Sequence, residues 1–188
     1  MHATYLALCE HGYAGLTIQR IGEQFEKSKS LLYHHYDDKD ELLLSFLQFM
    51  LEEHESSVPE SSEASPDACL NALLDVLLPP TLDDEQQGFT AAMVELRAQG
   101  AHDERYREQY AEHDRALHDH LVSVLEDGIE EGVFRDVDTD RVAEFLSTAI
   151  NGAMTRRVTG GDDSVTATRE EIDVYLDRVV RTDTEDGE

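Results

Sequence analysis

The chain has 188 residues, 40% of them apolar, and carries 42 acidic against 15 basic residues for a formal net charge of −27. That length and apolar share suffice to bury a core, in one domain or in a small domain joined to a larger one. No apolar run approaches the ~20 residues of a membrane span and no basic-then-apolar leader opens the chain. Cys9 and Cys69 stand apart with no CxxC pair, so small core residues in a reducing cytoplasm are expected rather than a membrane, exported, zinc or redox protein.

Apolar residues recur at helical spacing in almost every segment outside the loops, which predicts an all-α fold. Residues 1 to 11 read as a helix closed by Gly12, a residue suited to the left-handed conformation of helix ends. Thr17 is placed to cap a second helix whose face carries Ile18, Ile21 and Phe25. After a turn near Glu26 and Lys27, Ser28 can cap a short helix with Leu31, Leu32 and Tyr36 on its apolar side. Asp38 with Glu41 resembles a capping box and opens a helix through Leu42, Leu43, Phe46, Leu47 and Met50.

From Glu55 to Pro66 the composition turns to Ser, Glu and Pro, the mark of a loop and a boundary. Leu70, Leu73, Leu74, Leu77 and Leu78 then define a helix stopped by Pro79-Pro80. Phe89, Met93 and Leu96 mark another that ends at Gly100, and a long helix follows from about Asp103 to Glu131 with its break at Gly132. The last two helices carry Val142, Phe145, Leu146, Ala149, Ile150 and Ala153, then Ile172, Tyr175, Leu176, Val179 and Val180. Thr168 and Glu171 supply a capping box for the final one, and the tail from Thr182 is expected to be disordered.

All three lysines fall at Lys27, Lys29 and Lys39. In so acidic a chain, their concentration in one short segment suggests that it faces a polyanion. The segment from Thr17 to Tyr36 reads as a helix-turn-helix, whose second helix enters the major groove. Lys29, Ser30, Tyr33 and His34 sit on the exposed side of that helix. Lysine can donate to guanine acceptors or phosphate, and serine and tyrosine hydroxyls are common phosphate partners.

The pattern Gly12-Tyr13, Leu16-Thr17, Ile21, Ser28, Leu32-Tyr33-His34-His35-Tyr36, Lys39 and Leu42 resembles the N-terminal domain of the tetracycline-repressor-like (TetR) family of transcriptional regulators. The likeness is strong over roughly the first 50 residues, and beyond them it lies in architecture, including the Glu131-Gly132-Val133-Phe134 turn and a late helix with Gly152. It implies a three-helix DNA-binding domain over 1–50, a connection over 51–66, a helical dimerisation and ligand domain over 67–181 and a tail over 182–188. By matching position, Thr17, Lys27, Ser28, Lys29, Ser30, Tyr33, His34 and Lys39 are the DNA-facing candidates. Gly22 stands where the family has alanine and Glu26 where its turn has glycine, which weakens the helix and strains the turn. Met1 falls inside the region of the family's first helix, so either the reading frame begins too late or the protein binds DNA without the family's leading turns and basic arm.

The resemblance also implies a homodimer built on the C-terminal helices, with Phe145, Leu146, Ala149, Ala153, Ile172, Leu176 and Val179 as interface candidates. Phe89, Met93, Leu96, Tyr106 and Tyr110 can line a pocket for a small apolar effector, although apolar side chains at helical spacing are more often plain core. No cofactor or metal is expected. Neighbouring His34 and His35 point about 100° apart on a helix, and Asp114 with His118 offers too few ligands for zinc. Pairs such as Glu52-Glu53 and Asp162-Asp163 read as surface charge. No Ser-His-Asp spacing, phosphate loop or nucleophile elbow is present.

The expected function is a dimeric repressor of operator DNA released by a small apolar ligand. Two alternatives stand beside it: a ligand-independent regulator of the same kind controlled by a protein partner, and an all-α enzyme with a vestigial helix-turn-helix. Abundant Asp and Glu, three lysines and no tryptophan also resemble the proteome of a salt-in halophile, because concentrated salt screens the self-repulsion of such a surface.

Overall fold

A computed structural model describes residues 1–24, 34–57 and 65–182, with residues 51–57 as backbone alone. The predicted turn at Glu26 and Lys27, the cap at Ser28, most of the short helix it opens, the greater part of the loop before Pro66 and nearly all of the tail lie outside the described residues. In chain order the helices are α1 (His2–Gly15), α2 (Ile18–Glu23), α3 (Lys39–Ser57), α4 (Pro66–Leu77), α5 (Asp84–Gln99), α6 (Glu104–Glu130), α7 (Thr139–Gly160) and α8 (Asp163–Tyr175). A π-helical turn, Leu176–Val180, follows α8. The fold is all α, and Phe134 with Arg181 makes an isolated antiparallel bridge.

The chain packs as two compact units, Met1–Ser57 with Leu82–His113, and Val58–Thr81 with Asp114–Glu188. This division by packing is not the division by composition, since α5 and the start of α6 share a unit with the N-terminal helices. The first unit buries Ala7 and Leu8 of α1, Leu16, Ile21 of α2, Leu42, Leu43, Phe46 and Leu47 of α3, and Leu96 and Tyr106 in one cluster. The second buries the leucines of α4 with Leu121, Leu125, Phe134, Leu146, Ile150, Val165, Ile172 and Leu176.

Local chemistry accounts for most of the helix ends. Thr17 caps α2 by accepting the Arg20 N–H at 3.1 Å. Asp38 accepts the Glu41 N–H at 2.8 Å, but the Glu41 carboxylate reaches back to the Asp37 N–H at 2.7 Å and not to that of Asp38, so the expected box is shifted by one residue. A full capping box that the sequence reading missed opens α5, between Asp83 and Gln86.

The first helical stretch closes at Gly12 as expected, since at φ 63° and ψ 173° this residue leaves the helical region, and a short second stretch carries α1 on to Gly15. The break turns the Tyr13 N–H toward Glu95 of α5, which accepts it at 2.6 Å, and a Cβ on Gly12 would lie 3.2 Å from the same carboxylate. One expectation is corrected. The capping box at Thr168 and Glu171 does not form, because α8 begins at Asp163 and places Thr168 inside it, donating to the Ser164 carbonyl at 2.7 Å. Val165 is fully buried, so the apolar face of α8 starts well before Ile172 and the helix starts with it.

The turn after α6 depends on Gly128. A Cβ there would fall 2.0 Å from the Phe134 ring, and the Gly128 carbonyl accepts the N–H groups of Val133 and Phe134, each at 2.9 Å. Gly132 supplies the left-handed residue of the turn at φ 76°. Arg157, buried on α7, pairs with Asp162 at 2.9 Å and donates to the Pro79 carbonyl. Arg181 joins the chain end to α4 through Asp67 at 2.6 Å and Asn71 at 3.0 Å.

Candidate nucleic-acid interface

Of the DNA-facing candidates, Thr17, His34 and Lys39 are described, whereas Lys27, Ser28, Lys29, Ser30 and Tyr33 lie outside the described residues. Thr17 is exposed at the start of α2, with its hydroxyl oxygen engaged by the cap. The Arg20 guanidinium, also exposed, donates to the Gly15 carbonyl across the corner between α1 and α2. His34 and His35 are helical and exposed, with rings 5.6 Å apart at 66°.

Lys39 is half-buried at the first position of α3. Its ammonium lies 3.9 Å above the centroid of the Tyr13 ring and donates to the Tyr13 carbonyl at 3.3 Å, a cation–π contact reinforced by a hydrogen bond. The Tyr13 hydroxyl donates to Asp40 at 3.2 Å, and the hydroxyl of fully buried Tyr106 donates to the same carboxylate oxygen at 3.4 Å. Burial, and then the Asp40 charge, push both phenols above their ordinary range, so both hydroxyls stay protonated donors. In the sequence Tyr13 stands out only as part of the family pattern, and nothing marks Asp40 or Glu95. Nothing in their spacing reports contacts across 66 and 82 positions.

The five pocket candidates come together in the first unit. Leu96, Tyr106 and Tyr110 are buried, and Phe89 and Met93 pack against the same cluster. Tyr110 donates to the Met93 carbonyl at 2.8 Å, and the Arg97 guanidinium stands 4.4 Å over its ring. A cavity of about 510 Å³ lies in the second unit, between α6 and α7, and is lined by residues that include Asp114, His118, Glu144, Ser147 and Asn151. His118 approaches Asp140 at 3.3 Å. Among the described residues no three metal-capable side chains gather.

The interface candidates fall into two groups. Leu146, Ala153, Ile172 and Leu176 are buried in the core of the second unit, and Ala149 packs partly against it. Phe145 and Val179 are exposed, at 45% and 39%. The Phe145 ring centroid lies 4.5 Å from that of Tyr175, and Val179 follows Tyr175 by four residues.

Residues 2–46 match the model of the tetR family of bacterial regulatory proteins, and residues 66–181 match that of the C-terminal domain of BetI-type transcriptional repressors. The chain belongs to the TetR family. It is therefore a DNA-binding transcriptional regulator, of a family that is not enzymatic. The HTH-type transcriptional repressor AcnR of Corynebacterium diphtheriae is 28% identical over 154 residues, spanning 81% of this chain and 76% of the relative. A TetR transcription regulator from Haloarcula marismortui is 38% identical, with a TM-score of 0.87 over 96% of this chain and 95% of that one. A regulator from Saccharomonospora viridis, solved in complex with choline, shares the fold at 20% identity and a TM-score of 0.80, over 96% and 95% of the two chains. Among the described residues, no helix is long and apolar enough to cross a membrane.

Proposed function

We propose that this TetR-family chain is a cytoplasmic homodimeric repressor that reads operator DNA with Lys27, Ser28, Lys29, Ser30, Tyr33 and His34, supported at the phosphates by Thr17 and Lys39. The observation that carries this reading is the placing of every lysine inside the segment that matches the tetR-family model, in a chain of net charge −27. Residues 1–50 form the DNA-reading part and residues 67–181 the part that dimerises. Each subunit offers one reading helix, and the dimer sets their separation near one turn of DNA, about 34 to 36 Å. A small effector that binds better to a wrongly spaced dimer draws the population away from the operator and relieves repression. The choline-bound relative supports control by a small organic ligand. Phe89, Met93, Leu96, Tyr106 and Tyr110 remain the candidates for its apolar contacts.

Replacing Lys29 or Tyr33 by alanine should weaken operator binding by about 1 to 3 kcal/mol, the range for a side chain that contacts a base. Fluorescence anisotropy on operator DNA, with sedimentation to verify the dimer, measures this. Parent-like affinity in both variants would remove the reading role from this helix.

A further inference from the structure

We propose that Tyr106 and Glu95 are positioning residues for the operator contact of Lys39, acting through Asp40 and Tyr13. The inference rests on the reading of Lys39 as a DNA-facing cation. A lysine on the surface is a flexible chain, and ordering it on a phosphate costs rotamer freedom that weakens the contact. Lys39 is already ordered: its ammonium sits 3.9 Å over the Tyr13 ring and 3.3 Å from the Tyr13 carbonyl. An ammonium carries three donors, and one hydrogen bond to that carbonyl leaves donors for a phosphate oxygen.

Tyr13 is in turn fixed at both ends. Its backbone N–H donates to Glu95 of α5 at 2.6 Å, an approach opened by the break at Gly12, and its hydroxyl donates to Asp40 at 3.2 Å. The second hydroxyl on the same Asp40 oxygen comes from Tyr106 in the first turn of α6, whose side chain is 1% exposed. Two donors therefore hold the carboxylate that follows Lys39 in the chain. Without the Tyr106 hydroxyl, Asp40 gains freedom to pair with the neighbouring ammonium, and an ammonium paired to a carboxylate is lost to phosphate. Helices α5 and α6 thus reach one phosphate-facing cation by separate routes, all inside the first unit.

A double-mutant cycle on operator DNA tests this, using Tyr106→Phe, Lys39→Ala and their combination, with thermal unfolding and sedimentation as controls. Tyr106→Phe should weaken binding about three- to tenfold, the worth of one hydrogen bond, and should cost nothing further once Lys39 is alanine. Glu95→Ala should weaken binding similarly, whereas Glu95→Gln, whose amide oxygen still accepts the Tyr13 N–H, should restore it. No loss in Tyr106→Phe, or an equal loss with and without Lys39, would overturn the proposal. If Tyr106→Phe does not fold, the Glu95 pair decides alone: parent-like binding in Glu95→Ala, or no rescue by glutamine, overturns it. Parent-like binding by Lys39→Ala overturns the reading of Lys39 itself, an outcome that the single variant reports without Tyr106.

Discussion

Leu176→Asp is expected to unfold the second unit, whereas Phe145→Asp should leave it folded and split the homodimer. Both residues were interface candidates by helical spacing, yet their surroundings differ. Leu176 is fully buried among the side chains of α4, α6 and α7. An unpaired carboxylate there costs several kcal/mol, a large share of the ~5 to 15 kcal/mol that holds a typical protein folded. Phe145 is 45% exposed beside Tyr175, and Val179 adds apolar surface four residues on. A charge on that face can reach water in the isolated subunit, but would oppose its own copy across a two-fold axis, where every contact occurs twice. Circular dichroism and sedimentation equilibrium separate the two effects. A Phe145→Asp protein that remains dimeric, or a parent that is monomeric at micromolar concentration, would contradict this interface.

The second large effect is that of salt. At net charge −27 the folded chain repels itself, and the repulsion reaches about 30 Å at 0.01 M salt but about 3 Å at 1 M. Dialysis into dilute buffer should therefore abolish folded structure, and concentrated potassium chloride should restore it. DNA binding normally weakens as salt rises because counterion release loses its driving force. Here the general repulsion between an acidic protein and DNA weakens over the same range. Operator binding should accordingly persist in concentrated potassium chloride, with direct contacts from Lys29, Ser30 and Tyr33 carrying recognition. Circular dichroism and operator affinity followed across one salt series decide the matter. A protein that stays folded in dilute buffer and binds best there would return the acidic surface to an unexplained feature.

Features written in neighbouring residues were legible in the sequence. The cap at Thr17 needs only the Arg20 N–H three positions on, and the end of α4 needs only Pro79-Pro80. The family pattern is of the same kind, a set of short-range spacings that the match over residues 2–46 also detects. Legibility failed where a long-range partner decides. Helical spacing shows that Tyr106 and Tyr110 belong to an apolar face but not what covers it, and they join the cluster of Leu8 and Phe46. The same spacing placed Leu176 with Phe145, although one is core and the other surface. The start of α8 is not legible in the sequence, because Val165 counts as part of its face only once its burial is known. The links from Glu95 and Tyr106 to Lys39 leave no periodic trace at all.

Footprinting the purified protein on the DNA upstream of its own gene, in concentrated potassium chloride, shows whether this TetR-family chain reads a particular DNA sequence as a dimer. Two protected half-sites are expected about one helical turn apart, roughly 10 base pairs centre to centre, with affinity well above that for a scrambled duplex of equal length. Binding with no preference for that region over the scrambled duplex, at every salt concentration at which the protein is folded and dimeric, would contradict that reading.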